Sequence, residues 1–219
     1  MPTPDVLVYT RTAGYRHDSI PDGADALAAL AAGRGLTAEA TEDPAAFTAG
    51  GLAGRALVVL LSTTGTVLTP EGRTALEAYL RGGGALLAVH AAANAEPDWP
   101  FYGDLLGTRF AGHPPLQPGA VLVEDAGHPA CAPLPGRWEW TDEWYEYASH
   151  PRAAGVRVLL RADETAYEGG TLGDDHPIAW CRTVDAGRFL FTALGHAPEA
   201  YRDPVFRAHL DGALTWLLG

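Results

Sequence analysis

Hydrophobic residues occur along the chain in short blocks of Val, Leu and Ala, separated by polar loops and by stretches with helical spacing. Blocks of this length and composition are typical of strands, and those that are apolar throughout are typical of strands covered on both faces. We predict strands at residues 5–10, 36–41, 56–62, 85–90, 121–124, 156–161, 178–183 and 188–194.

Helices are predicted between several of these strands. Leu27 and Ala31 share one face of the segment after the first strand. Thr69 followed by Pro70 is a favourable helix start, because the hydroxyl can cap the helix and proline needs no amide hydrogen in the first turn. Asp203 precedes a proline in the same way before the last helix. The alternation of strand, helix and strand predicts an α/β fold with right-handed crossovers and a parallel sheet.

The middle of the chain is less regular. Residues 99–106 are expected to form a short helix, and residues 138–147 are rich in aromatic and acidic side chains. We find no repeat, linker or low-complexity tract, so we interpret residues 1–219 as one domain. The irregular middle is then an insertion or an antiparallel extension beside the core.

Charge and composition narrow the classes of partner. The chain has 15 basic and 27 acidic residues, a net charge of −12. We therefore expect no nucleic-acid partner. The cysteines Cys131 and Cys181 form no zinc or redox motif. No apolar run is long enough for a membrane span and no signal peptide is recognisable, so we expect a soluble cytoplasmic protein without a membrane partner. A homo-oligomer is left open.

Three predicted strands end in loops that contain histidine. His17 follows the first strand, His90 ends the fourth and His196 follows the last. In parallel sheets, ligands bind beyond the carboxyl ends of the strands, and histidine suits proton transfer near neutral pH. A structural role would explain any one of these histidines alone, whereas three at one edge favour a functional site.

The glycine-rich turn before the strand that ends at His90 has the pattern of a strand–turn–helix elbow. Class I glutamine amidotransferases carry a nucleophilic cysteine at such an elbow, and here the position is a histidine. Cys131 and Cys181 lie on no elbow pattern. We therefore exclude a thiol-dependent amidotransferase, because the nucleophile is missing.

Six motifs follow one another at residues 14–20, 83–92, 110–113, 142–145, 176–180 and 187–196. In this order and spacing the chain resembles the ThuA-like family, named for trehalose utilisation, over nearly its whole length. The resemblance implies a class I glutamine amidotransferase-like fold, which is a flavodoxin-like, three-layer, doubly wound, mostly parallel sheet, here with an irregular insertion. It also implies a link to sugar metabolism, including 3-keto sugars. Trp144 departs from the family pattern, where a smaller aliphatic residue is expected.

The motifs and strand ends together give the candidate site. The residues predicted to be catalytic are His17, His90, Glu143 and His196. The residues predicted to bind substrate are Arg11, Tyr15, Arg16, Asn94, His113, Asp142, Trp144 and His176. The remaining histidines, which we interpret as surface or helix positions, are His128, His150 and His209.

The leading hypothesis is an enzyme acting on a small-molecule sugar, a 3-keto sugar or glycoside, as a lyase, isomerase or hydrolase. His17 and Glu143 are the candidates for moving the C2 proton, and His90, His196 or a bound metal would stabilise the oxyanion. Imidazole and carboxylate ligands would suit zinc or manganese, but the scattered positions leave the metal open. The alternatives are a non-catalytic sugar-binding or regulatory module that has lost the cysteine, and a scaffold subunit.

Overall fold

The computed structural model describes residues 5–219. Residues 1–4, part of the N-terminal stretch in which we recognise no signal peptide, lie outside the described residues. A nine-stranded sheet crosses the molecule in the order β2-β1-β3-β4-β11-β10-β9-β6-β7. A two-stranded ribbon pairs β5 with β8. The strands are β1 Val6–Tyr9, β2 Ala38–Thr41, β3 Leu57–Leu61, β4 Ala85–Val89, β5 Phe110–Gly112, β6 Gln117–Val123, β7 Arg137–Asp142, β8 Glu146–Tyr147, β9 Arg157–Ala162, β10 His176–Val184 and β11 Gly187–Thr192.

The first half of the sheet is parallel. Strand β1 pairs with β2 and β3, β3 pairs with β4, and β4 pairs with β11, all in the same direction. Every residue of β1, β3 and β4 is buried, as their continuous apolar sequences predict. The predicted α/β fold with a large, mostly parallel central sheet is confirmed.

The second half of the sheet is an antiparallel extension. Strand β10 runs antiparallel to both β11 and β9, and β6 runs antiparallel to both β9 and β7. Of the two expectations for the irregular middle, the extension is the one observed. Strand β7 was not predicted, although its buried and exposed residues alternate, with Trp138 and Asp142 buried on one face. Aromatic and acidic residues obscured this period-two pattern.

Residues 5–219 contain five α-helices, which are α1 Ile20–Ala32, α2 Ala49–Leu52, α3 Pro70–Arg81, α4 Pro100–Leu106 and α5 Pro204–Leu218. The predicted caps are confirmed at two of them. The Thr69 side chain accepts a hydrogen bond from the Gly72 amide, and the Asp203 side chain accepts from the Val205 and Phe206 amides. No helix among residues 5–219 is long and apolar enough to cross a membrane.

Of the three histidines interpreted as surface or helix positions, one differs from the expectation. His128 is buried, so the interpretation of this residue as a surface position is wrong. His209 lies in α5 as expected, but its side chain is fully buried and contacts the Ala130 carbonyl oxygen at 2.9 Å. His150 is partly exposed and caps a short 3₁₀ turn. All three lie outside the histidine cluster described below.

Candidate active site

The carboxyl ends of three parallel strands carry the histidines to one edge of the sheet. His17 lies in the loop between β1 and α1, His90 directly follows β4, and His196 follows β11. Strands β1, β3, β4 and β11 are neighbours, so these loops meet. The loop after β7 adds Glu143, and Asp142 beside it accepts a hydrogen bond from the Gly195 amide at 2.9 Å. This bond ties the antiparallel extension to the loop that holds His196.

The four predicted catalytic residues form one cluster. The Nε2 atoms of His17 and His90 are 3.1 Å apart. Glu143 Oε2 lies 3.4 Å from His90 Nε2, 3.2 Å from His196 Nδ1 and 4.0 Å from His17 Nε2. His17 and His90 are buried, whereas Glu143 and His196 are partly exposed. The cluster is therefore open to solvent on one side only.

His90 is held in an uncommon backbone conformation. Its φ is +53°, in the left-handed region, at the point where β4 gives way to a 3₁₀ turn over His90–Asn94. A non-glycine residue in this region costs about 1–3 kcal/mol, so neighbouring contacts must hold it. Nδ1 lies 2.6 Å from the Ala193 carbonyl oxygen and so must donate to it. In the neutral ring the Nε2 lone pair consequently faces the cluster, where Tyr145 lies 2.9 Å away.

Burial and ion pairing divide the protonation states within the cluster. Burial lowers the pKa of His17, which favours its neutral form. The hydrogen bond to Glu143 raises the pKa of His196. Burial acts to raise the pKa of Glu143, but its contacts with His17, His196 and His90 outweigh burial and hold that pKa well below its ordinary value. Burial raises the pKa of Tyr145, so its hydroxyl remains a hydrogen-bond donor.

A pocket of about 330 Å³ opens beside the cluster. Its walls include His17, Glu143 and Tyr145, together with Tyr15, Thr64, Ala91, Asn94, Phe110 and His113. His113 Nε2 is 3.5 Å from Glu143 Oε1, the carboxylate oxygen that does not face the other histidines. The Tyr15 ring is 68% exposed. The volume is at the lower end of the range of small-molecule sites, and the mixture of aromatic and polar walls suits a compact polar ligand.

A family model described as ThuA, trehalose utilisation, matches residues 5–217. The chain belongs to the ThuA family. Membership of this family indicates a carbohydrate-related role. No curated protein matches the sequence.

Several solved structures share the fold of this chain. A ThuA-like protein from Bacteroides uniformis has a TM-score of 0.81 and 24% identity, covering 99% of this chain and 91% of that one. A ThuA-like protein from Parabacteroides merdae has a TM-score of 0.78 and 20% identity, with 99% and 90% covered. A β-galactosidase from Rahnella sp. R3 has a TM-score of 0.63 and 15% identity, covering 97% of this chain but 31% of the enzyme. At these identities the likeness concerns the fold.

Asp142 lies beside the cluster but directs its carboxylate to the protein itself. Its two oxygens accept hydrogen bonds from the Glu143, Gly195 and His196 amides and from the Trp140 indole nitrogen. The side chain is 1% exposed. It therefore positions the loops that carry Glu143 and His196, and offers no free oxygen to a ligand in this conformation.

Two further residues predicted to bind substrate are buried behind the pocket. The Trp144 indole stacks on Tyr167 at 4.9 Å between ring centroids and donates to the Gln117 carbonyl oxygen. His176 is fully buried, with Nε2 2.9 Å from the Tyr145 carbonyl oxygen and Nδ1 2.7 Å from the Glu164 carboxylate. Both side chains thus contact protein groups, and His176 supports the backbone of Tyr145.

The predicted arginines lie outside the pocket walls. Arg16 binds the Thr10 carbonyl oxygen and the Glu42 carboxylate, and Arg11 is exposed. By contrast, Tyr15, Asn94 and His113, which are also predicted to bind substrate, line the pocket.

Sequence reasoning missed the position of four pocket residues, Thr64, Ala91, Phe110 and Tyr145. Phe110 and Tyr145 belong to motifs on which the family resemblance depends, so their presence there was an available signal. Thr64 follows β3, a strand end that carries no titratable side chain and therefore attracted no attention.

Proposed function

We propose that this ThuA-family protein is an enzyme of carbohydrate metabolism that acts on a 3-keto sugar or glycoside by proton transfer at C2. The observation that carries the proposal is the convergence of three imidazoles and one carboxylate on the edge of a 330 Å³ pocket. Within this cluster His17 Nδ1 makes no hydrogen bond, and His196 Nδ1 faces the Glu143 carboxylate at 3.2 Å.

The proposed reaction begins at the C2–H bond, which a ketone at C3 acidifies. A base takes the C2 proton, the bonding electron pair forms a C2–C3 double bond, and the C3 carbonyl becomes an enediolate oxygen. Protonation at C3, with transfer of the C2 hydroxyl proton to the C3 oxygen, gives the isomeric 2-keto sugar. Alternatively, the C3 carbonyl re-forms, the electron pair forms a C1–C2 double bond and the C1–O bond breaks, so that the C1 substituent takes up a proton and leaves as an alcohol in an elimination.

His17 and Glu143 are the proposed proton-transfer groups. Both line the pocket, and their side chains are 4.0 Å apart. Burial lowers the pKa of His17 and so favours the neutral imidazole that can accept a proton. The ionised Glu143 would then stabilise the imidazolium that forms.

Tyr145 is the proposed donor to the enediolate oxygen, to which its hydroxyl would turn from His90 Nε2. Its hydroxyl lies on the pocket wall, 2.9 Å from His90 Nε2, and burial raises its pKa so that the proton is retained. A donor fixed beforehand stabilises developing negative charge without having to reorganise during the reaction. His176 contacts the Glu164 carboxylate and the Tyr145 carbonyl oxygen, and these two hydrogen bonds hold the Tyr145 backbone in place.

Exchange of the C2 hydrogen in D₂O tests the proposal directly. A 3-keto disaccharide is incubated with the protein, and loss of the C2 proton signal is followed by NMR. We expect His17→Ala and Glu143→Gln each to slow exchange by about 10²–10⁴-fold, the usual contribution of general acid–base catalysis. The matched controls, His150→Ala and Glu168→Gln, change a partly exposed histidine and an exposed glutamate outside the pocket and should exchange at the normal rate.

Wild-type protein that neither exchanges the C2 hydrogen nor converts any 3-keto sugar would overturn the proposal. Saturable sugar binding without exchange would instead support the sugar-binding module. Normal exchange by both His17→Ala and Glu143→Gln would show that the proton moves through other groups.

A further inference from the structure

We propose that His17, His90, His196 and Glu143 together bind one divalent first-row transition-metal ion. The ligand atoms would be Nε2 of His17, Nε2 of His90, Nδ1 of His196 and Oε2 of Glu143, which all lie within 4.8 Å of one another. The residues come from four separate loops, so the sequence spacing gives no metal motif. The inference rests on the spacing, the lone pairs and the chemistry of these four atoms.

The spacing of the four atoms fits one ion at their centre. Ligands bound tetrahedrally at about 2.0–2.1 Å lie about 3.3–3.4 Å from one another. The distances from Glu143 Oε2 to His196 Nδ1 and to His90 Nε2 are 3.2 and 3.4 Å, and the two Nε2 atoms are 3.1 Å apart. The longer 4.0 Å separation between His17 and Glu143 requires only a small adjustment of a partly exposed carboxylate.

The ligand atoms of the cluster lie mainly against one another. His90 donates its Nδ1 hydrogen to the Ala193 carbonyl oxygen, an arrangement that metal-binding histidines commonly make. Its Nε2 therefore presents a lone pair to the cluster, where an ion would replace the contacts with His17 Nε2 and the Tyr145 hydroxyl. His196 Nδ1 is buried and lies 3.2 Å from Glu143 Oε2, so an ion between the two atoms would be bound by both.

A second group of potential ligands, Glu146, Glu164 and His176, provides an internal comparison. Both Glu164 oxygens accept hydrogen bonds from the backbone amides of residues 172 and 173, and Glu146 accepts from the Thr171 amide and hydroxyl. Both nitrogens of His176 are also partnered. Since protein donors satisfy these atoms, this group has a structural role, whereas in the cluster at the pocket the three histidines face one another and a carboxylate.

The donor set selects the class of ion. Three imidazole nitrogens and one carboxylate oxygen suit zinc, manganese and related divalent transition metals, whereas calcium and magnesium prefer oxygen ligands. An ion at this position would act as a Lewis acid toward an oxygen of the substrate. The effect of the ion on proton transfer rests on the proposed function. If the ion binds the lone pair of His17 Nε2, that nitrogen can no longer accept the C2 proton, and Glu143 Oε1, beside His113, would be the proton acceptor.

Metal content and affinity test the proposal without reference to activity. Protein purified without a histidine tag is analysed by inductively coupled plasma mass spectrometry, stripped with a chelator and titrated calorimetrically with Zn²⁺ and with Mn²⁺. We expect about one ion per chain and, on adding Co²⁺, visible absorption bands from nitrogen coordination. His90→Ala and His196→Ala should each weaken binding by more than about 100-fold, beyond the effect of losing an outer-shell partner. The matched control His150→Ala should bind as the wild type does.

Circular dichroism and thermal melting of each variant separate ligand loss from misfolding, and the partly exposed His196 is the safer substitution if His90→Ala does not fold. The proposal would be overturned if metal-free wild-type protein took up none of the ions Zn²⁺, Mn²⁺ and Co²⁺. It would also be overturned if folded His196→Ala bound the metal as tightly as the wild type does. Metal binding without C2 exchange would contradict only the proposed function. Full exchange by metal-free protein would contradict the ion's role and leave the proposed function standing.

Discussion

Replacing Asp142 with asparagine should destabilise the protein strongly, although the substitution preserves the shape of the side chain. Each carboxylate oxygen accepts two hydrogen bonds, Oδ1 from the Glu143 and His196 amides and Oδ2 from the Gly195 amide and the Trp140 indole. Asparagine keeps one acceptor and turns an NH₂ group toward the other two donors. Whichever way the amide points, two donors lose their partner.

The expected loss follows from those two bonds. An unpartnered buried donor costs about 1–3 kcal/mol, so Asp142→Asn should lower the free energy of unfolding by about 2–6 kcal/mol. Such a loss is a large fraction of the 5–15 kcal/mol that is typical of a folded domain. Urea unfolding followed by tryptophan fluorescence measures it, with the slope of the transition checking that the unfolded state is unchanged.

Asp185→Asn is the matched control. Asp185 occupies the turn between β10 and β11 with a φ of +51°, a conformation that asparagine tolerates, and its ion pair with Arg81 is exposed. This variant should lose no more than about 1 kcal/mol. Equal stabilities of Asp142→Asn and the wild type would refute the reasoning, and would return Asp142 to the substrate-binding role that the sequence suggested.

Three other predictions concern buried polar groups. Burial lowers the pKa of His128 and His209 to about 4, so the unfolded chain binds more protons than the folded chain between pH 6.5 and 4. The free energy of unfolding should therefore fall as the pH drops through this window, by up to about 3 kcal/mol for each histidine. Urea titrations at pH 7, 5.5 and 4 measure this fall. Glu96→Gln should cost about 3 kcal/mol in the same assay, because Glu96 is fully buried and pairs with Arg73 at 2.6 Å; an unchanged midpoint would contradict this. His176→Ala should lower kcat of the proposed reaction more than it raises KM, since His176 holds the Tyr145 backbone without reaching the pocket, and a change in KM alone would instead indicate substrate contact.

The sequence predicted the parallel half of the fold in detail because its signals are local. Strands β1, β3 and β4 are apolar throughout, and Thr69 and Asp203 cap helices within a few residues of themselves. Strand β7 escaped prediction because its inward face mixes Trp138 with the charged Asp142, and the charge has meaning only through donors elsewhere in the chain. The same difficulty hid the burial of His176, whose partners include a backbone carbonyl oxygen 31 residues away.

The sequence by itself determined that this protein has an α/β core with a histidine at each of three strand ends, since strand periodicity and the shared edge of parallel strands are sufficient for that inference. Only the tertiary structure decided which side chains meet. The Asp142 carboxylate spans 53 residues to reach the Gly195 amide, and this contact brings Glu143 to His17, His90 and His196. Contacts between distant segments depend on how the antiparallel extension packs, which no local pattern records. They therefore decide which predicted residues form the pocket and which support it from behind.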